Sequence, residues 1–563
     1  MLLLNLIPSH TANRWVICVI VLLATLFYAA VFQYAINVPQ VDDLLYIDSV
    51  RRIIAAGTPF PEVIRLVVEQ HNDHRILLSR ILVLTDYWIE GQVNYRTLTL
   101  IGSLSIAGVL WHVYRLFRQA GLAAWMVLPV ALLLFQPSYQ EDVWWVLCLL
   151  QHTLTLLLMV IVFRLLIRPE TWAQVLALAL GGLVLYSNSN GLFMWIAIIG
   201  LLVLTRRWRW AISWTVAGIV LIGLYFSVNY NFISKDSLAT VAQHPGWIVK
   251  SIVSFAGSAV YFDQRRWLVV PGQWLVLGVG VLVLTIIAIS WLRLLIRLPR
   301  PFSPAIMPFL ALGLVLVLSG LAAAFARSDG GLMVIGRYQV YAVWCLIVVY
   351  ALVIMQLTGK WRQLAGLAGI ALTGWFWLNA WLLYGPQLAD RYNQQVAEGV
   401  ALKHYRYSVI SQPFGLDPYW QRGWEEALNK GIYQVPDLPE IRGIEAAMQI
   451  SPAGDSTTQF ATDSRYLAFL STNALFIEQD TLPKPDFLYM QSANNWYILP
   501  AQRRPKPIMR PWLVDKGVKS MVLPVMLKPG LYQLGWVRRT AAGWVATKTR
   551  QQIEVPVREL SAS

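Results

Sequence analysis

The sequence predicts an all-α polytopic membrane bundle of about eleven transmembrane helices, followed by a C-terminal extracytoplasmic domain of α+β or β-sandwich type. Three observations predict it. Of 563 residues, 57% are hydrophobic and only 13% charged, and the mean hydropathy is +0.54, outside the range of soluble globular chains. Apolar runs of roughly 20 residues, the length a helix needs to cross a bilayer, recur between short charged or Pro/Gly-rich breaks. After Tyr384 no further run is long enough to span.

The runs lie at 15–36, 97–114, 121–136, 143–163, 171–186, 191–205, 210–228, 270–292, 304–325, 337–357 and 363–384. The first is followed by Pro39-Gln40-Val41-Asp42-Asp43 rather than a small-residue cleavage site, so it reads as a retained anchor. Arg14, Arg115, Arg118, Arg164, Arg168, the run Arg206-Arg207-Trp208-Arg209, Arg293, Arg297, Arg300, Lys360 and Arg362 all fall on one side, which the positive-inside rule makes the cytoplasm. The segment 246–262 is apolar enough to be re-entrant or an extra span, but continued alternation of basic loops downstream argues against inversion. The net charge of +15 is spread over loops, without a basic stripe or nucleic-acid motif. Topology and anionic lipid account for it, and no nucleic-acid partner is expected. Cys18, Cys148 and Cys345 lie inside predicted spans and read as core packing, not as a disulfide framework.

The domains follow: a membrane domain over 1–386 with a first outer loop at 38–96, and a C-terminal domain over 387–563. In the tail, Leu388–Lys403 and Trp420–Lys430 read as helices. Gly530–Val537 and Trp544–Thr549 read as strands, with Lys528-Pro529-Gly530 as a turn.

Ionisable groups concentrate in loops of the outer face. Asp42 and Asp43 follow the first helix. Adjacent side chains diverge, so one can face a cleft, ligating a divalent cation or accepting a proton, while the other caps the following helix. The competing reading is that both cap the helix through Asp48-Ser49-Val50-Arg51-Arg52. His71, His74 and Arg75 are spaced i, i+3 and i+4, so on a helix they share a face with Asp73 between them. Ion pairing among Glu69, Asp73 and Arg75 on a solvated helix is the alternative. Glu141-Asp142 can complete a metal shell, although capping of the next helix is the stronger reading. Gln151 and His152 read as bundle-facing hydrogen-bonding groups. Arg265-Arg266, Arg327 and Gly336-Arg337-Tyr338 bring cations beside apolar helices, where they suit a lipid-linked phosphate or simply anchor to headgroups.

An anchor helix, an acidic pair in the first outer loop, the His71-Asn72-Asp73-His74-Arg75 element, many spans and a C-terminal extracytoplasmic domain together resemble the GT-C superfamily of membrane glycosyltransferases. Within it the chain looks closest to bacterial enzymes that take a sugar from a polyprenyl-phosphate carrier. The resemblance covers the membrane portion and rests on short motifs and topology. It implies transfer to a glycan or lipid acceptor outside the cytoplasm, with inversion, in the bacterial inner membrane. Asp42 and Asp43 take the place of the family's acidic motif, as general base or, with Glu141, as ligands of Mg²⁺ or Mn²⁺. Arg337 or Arg327 takes the place of the phosphate-binding cation, and His71, Asp73, His74, Arg75 and Tyr338 are further substrate-binding candidates. No Gly-rich nucleotide loop is present. An O-antigen ligase or polymerase with a diphosphate-linked donor, and a non-enzymatic transporter or flippase, are the alternatives.

Overall fold

The computed structural model describes residues 9–55, 57–231, 243–261, 272–297, 304–407, 418–450, 453–454, 458–467, 472–479, 486–503 and 517–556. The chain forms two compact units: Met1–Gln33, Pro59–Leu82 and Thr99–Tyr384 in one, and Tyr34–Thr58, Val83–Leu98 and Gly385–Ser563 in the other. The expected first loop, 38–96, is therefore divided. Its two ends belong with the C-terminal domain and its middle with the helices.

Each of the eleven expected runs contains helix. Among the described residues, eight helices are long and apolar enough to cross a membrane: Arg14–Tyr34, Tyr95–Gln119, Val146–Leu166, Trp208–Ser227, Gly272–Ile296, Pro304–Arg327, Gly336–Gln356 and Gly359–Tyr405. The segments Ala124–Tyr139, Thr171–Leu185 and Asn190–Leu204 are apolar but shorter. The last long helix runs on without a break to Tyr405 through Pro386, so the expected separate helix at 388–403 is its continuation. A proline inside a helix removes one hydrogen bond, yet its fixed φ remains compatible with helical backbone.

The ambiguous segment at 246–262 is a helix over Pro245–Gly257 with a tighter turn at Ser258–Val260. Thirteen residues rise only about 20 Å, short of the roughly 30 Å hydrocarbon core. This helix packs against Gly272–Arg297 at a crossing that only glycine permits. A Cβ on Gly257 would lie 1.9 Å from the Val276 carbonyl oxygen, and one on Gly280 1.9 Å from that of Val253.

The second unit has a β domain of two sheets. Its strands are β3 (Ala453–Gly454), β4 (Ala461–Leu467), β5 (Thr472–Gln479), β6 (Phe487–Gln491), β7 (Trp496–Pro500), β8 (Gln502–Arg503), β9 (Val518–Val522), β10 (Gly530–Thr540) and β11 (Gly543–Val555), counted after a short hairpin of β1 (Gln70–His71) and β2 (His74–Arg75) in the first unit. One sheet has the order β3-β11-β10-β6-β7 and the other β4-β5-β9-β8. Pairing is antiparallel except between β3 and β11. Ile36 and Val38, just past the first helix, are buried in the same apolar core as Val396 and Val400 of the long helix and Tyr489 and Leu534 of the sheet.

Because the Gly257–Gly280 contact is backbone on backbone, Gly257→Leu or Gly280→Leu is expected to destabilise the purified, detergent-solubilised protein by about 1–3 kcal/mol or more. Thermal unfolding against the neutral control Gly278→Ala, where a Cβ meets nothing within 4 Å, checks this.

Candidate functional site

The segment after Gln140 is not one regular helix. A single turn at Glu141–Trp144 stops at Trp145, whose backbone is extended at φ −107° and ψ 111°. The chain then passes through Val146–Cys148 and a π-turn at Leu149–Thr153 before the regular helix Leu154–Leu166 begins. Thr153 Oγ1 closes the break by donating to the Asp142 carbonyl at 2.9 Å. The widened turn presents Gln151 and His152 to different partners. The Gln151 side-chain amide is 2.5 Å from His74 Nε2. His152 Nδ1 is 2.5 Å from Tyr341 Oη, and Asn188 Nδ2 is 3.2 Å from the same ring nitrogen while donating to the Gln151 carbonyl at 3.0 Å.

A second consequence of the break is a carboxylate, thiol and imidazole in one place. One ligand atom from each of Asp142, Cys148 and His152 lies within 4.8 Å of the others, and Asp142 is 0% exposed. Among the described residues this is a group able to hold a metal ion. One oxygen, one sulfur and one nitrogen suit a borderline-soft ion such as Zn²⁺ better than Mg²⁺ or Mn²⁺, which prefer oxygen throughout. The ligand set expected from sequence was Asp42, Asp43 and Glu141, none of which belongs to this group. Glu141 instead lays its carboxylate directly against Gly336, where a Cβ would fall 2.1 Å from its Oε1 and oblige that side chain to move.

His71 to Arg75 do not form the expected helix. They make the β1–β2 hairpin, with Gln70 opposite Arg75 and His71 opposite His74. Asn72 turns the chain at φ +49°, a conformation asparagine tolerates far better than most side chains. The two imidazoles, expected on one helix face, are cross-strand neighbours with centroids 5.5 Å apart. Arg75 is 1% exposed, and its guanidinium donates to the carbonyls of Val68, Tyr225 and Val228 while lying 5.1 Å from the Tyr225 ring centroid. Such a group fastens the hairpin to the end of helix Trp208–Ser227. Tyr230 adds a hydrogen bond to the Asp73 carbonyl at 2.7 Å. Burial, with its neighbours His74 and Arg80, pushes the His71 imidazole down to about 3. Burial also pushes His74 down to about 4; Gln151 and Asp73 oppose this, and the charges of Arg327 and Arg337 add to it.

Those two arginines flank a loop that is tied to helix Pro245–Gly257. Lys250 Nζ donates to the Gly330 carbonyl at 2.6 Å, Ser251 and Ser328 share a hydroxyl contact of 2.9 Å, and the Met333 amide donates to Ser254 Oγ at 2.8 Å. Arg327 is exposed at the helix end. Arg337 is half-buried, 5.8 Å from the Tyr338 ring centroid, and Tyr338 packs beside Phe255 and Tyr341. Arg265 and Arg266 lie outside the described residues.

The first-loop aspartates belong to the second unit and are unequal. Asp43 is 1% exposed and closes a capping box, its Oδ2 accepting from the Gln40 amide at 3.0 Å while its own amide donates to the Gln40 carbonyl at 2.8 Å. Asp42 is half-buried. Between Gln40 and Asp42, Val41 sits at φ +44°, a left-handed conformation costly for a β-branched residue. The turn is held by groups around it: Tyr95 Oη donates to the Asp43 carbonyl at 2.7 Å, Tyr433 Oη to the Asn37 carbonyl at 2.8 Å, and Arg391 to Gln40 Oε1 at 2.5 Å.

Sequence reasoning did not single out Asp142 with Cys148, or Asn188 with Tyr341, as a cluster. Cys148 and His152 are i, i+4, but the six residues from Asp142 to Cys148 put the carboxylate about 120° away round a regular helix. The available signal was the concentration of polar groups in Gln136–Asp142 and Gln151–His152 around a strongly apolar run.

Two outcomes are expected. Arg75→Leu leaves three carbonyls without their donor and destabilises the fold by about 1–3 kcal/mol, read by thermal unfolding. For His74, the folded value near 4 lies below the ordinary 6.5. The unfolded chain therefore binds the extra proton between those values, and the stability contribution is full above pH 6.5 and is lost as pH falls toward 4. The difference between wild type and His74→Gln in melting temperature should shrink across that window.

No family model, curated protein or solved structure matches the chain.

Proposed function

We propose that the chain is an integral membrane glycosyltransferase of GT-C type, moving a sugar from a polyprenyl-phosphate carrier to a glycan or lipid acceptor. The observation that supports it is the largely buried polar cluster of His74, Gln151, His152, Asn188, Tyr341 and Asp142 at one end of an apolar helix bundle, with the charge of Arg337 felt at His74. Burying that many polar groups costs free energy unless each is partnered, and such groups among membrane helices mark substrate paths or reacting centres. A lipid-linked phosphate asks for a guanidinium beside apolar helices, and Arg337 is the residue proposed to receive it, with Arg327 as a second cation.

In the proposed reaction the acceptor oxygen bonds to the anomeric carbon as the bond to the phosphate oxygen breaks. The carrier phosphate leaves with that electron pair, and the acceptor proton passes to a carboxylate. Asp42 is assigned as this general base because Asp43 is committed to the turn. That assignment rests on the family resemblance and on the held, strained turn in the second unit. The reaction places this work outside the cytoplasm of a bacterial inner membrane.

The buried histidine network and the π-turn also fit a proton-coupled transporter, where such features line a substrate path. Purified protein given a radiolabelled polyprenyl-phosphate sugar separates the readings, since flux across proteoliposomes without glycosyl transfer supports transport. Under the transferase reading, Arg337→Gln raises the KM for donor and lowers kcat/KM by about 10- to 100-fold, the value of one charge-assisted phosphate contact. Asp42→Asn lowers kcat with little change in melting temperature. Asp43→Ala costs about 1–2 kcal/mol of stability through the lost cap. Unchanged transfer in both Arg337→Gln and Asp42→Asn would overturn the assignment.

A further inference from the structure

A cavity of about 530 Å³ lies where helices Tyr95–Gln119 and Leu154–Leu166 end, far along the latter helix from His152. Its walls include Arg115, Arg118, Arg164 and Arg168, together with Trp111 and Tyr114, and no acidic residue is among its described lining. Complementing helix dipoles or setting topology requires basic residues near these ends. Neither requires four of them to face one concavity, where like charges repel.

The repulsion is visible in the partners. Arg164 lines the same cavity as Arg115 and Arg168 and donates to His112 Nδ1 at 2.9 Å, not to a carboxylate. Arg118 donates to the Leu122 carbonyl at 2.8 Å. Arg115 lies 5.5 Å from the Trp111 ring centroid, and Arg168 5.5 Å from that of Trp172. Both indoles point outward, 54% and 55% exposed. Exposed tryptophans at the ends of apolar helices mark headgroup depth. The cavity therefore combines a cation cluster lacking a lining counter-charge with an entrance at the membrane interface.

We propose that this cavity binds the phosphate headgroup of an anionic phospholipid, with the phosphodiester oxygens accepting from Arg115, Arg164 and Arg168. Its volume suits a small polar headgroup, and planar guanidinium forks match phosphate oxygens. Acyl chains would leave past Trp111 and Trp172.

The test uses the full chain, delipidated in a neutral detergent and titrated with phosphatidylglycerol, phosphatidylcholine or inorganic phosphate, with bound lipid counted by native mass spectrometry. One phosphatidylglycerol is expected to be retained in preference to phosphatidylcholine. Removing charge should weaken that binding by about fivefold for Arg115→Gln or Arg168→Gln, and on the order of 30-fold for the pair. Arg115→Lys with Arg168→Lys should recover most of it. Arg115 is exposed, so its single substitution reads binding without endangering the fold. Equal retention of phosphatidylcholine, or unaltered phosphatidylglycerol binding in the double Gln variant, overturns the proposal. So does displacement of the lipid by millimolar inorganic phosphate, which would identify a soluble anion as the ligand. Binding is read without turnover, so the result is independent of the transferase assignment.

Discussion

A polar group enclosed by apolar helices must find its partner inside the protein, because the hydrocarbon around the bundle offers none. Much of the first unit follows from how the chain near Trp145 meets that constraint. In a regular helix from Glu141 to Leu166, Cys148, Gln151 and His152 would share one face at i, i+3 and i+4, and Asp142 would lie about 120° round the axis from Cys148. Extending the backbone at Trp145 and widening the turn at Leu149–Thr153 instead gathers Asp142, Cys148 and His152 together and turns Gln151 toward the hairpin. The irregular backbone is compensated locally, as Thr153 returns a hydrogen bond to Asp142. The cluster and the break in the helix are therefore one feature.

The hairpin shows the same constraint acting on a cation. Arg75 is too buried to be solvated, so its guanidinium takes carbonyl partners at the end of helix Trp208–Ser227. That fixes the strand carrying His74, which in turn can meet Gln151. Arg75 works on the site through His74 by positioning, and a phosphate-binding role would require giving up those carbonyls. A neutral His74 is consistent with that arrangement, because Arg327 and Arg337 already supply positive charge nearby.

Hydropathy made the helices legible, since a 20-residue apolar run has few other uses. All eleven runs contain helix, though only eight meet the spanning length among the described residues. The hairpin was misread because i, i+3, i+4 spacing carries helical meaning only inside a helix. The Asn72-Asp73 pair, able to turn the chain through a left-handed residue, outweighed it. The cluster at Asp142 was illegible for a related reason: a π-turn and an extended residue alter the periodicity that links spacing to direction. The aspartate pair was partly legible. Diverging side chains were expected, and the capping box gives Asp43 the bracing role, but the backbone strain at Val41 could not be read from composition.

The segment Glu141–Arg168 carries acidic residues at its start and arginines at its end, the order that a helix macrodipole favours. The dipole explains the signs and sets no further requirement, since one charge in each terminal turn would satisfy it. Toward the acidic end, Gln151 and His152 are knit by hydrogen bonds to His74, Tyr341 and Asn188 on three other segments. At the basic end the contacts run to an imidazole, a carbonyl and two indole rings, none of which carries a negative charge. The two ends therefore differ in kind. At one end the polar groups find partners on neighbouring segments, and at the other the proposed headgroup phosphate would supply the counter-charge that the described lining lacks.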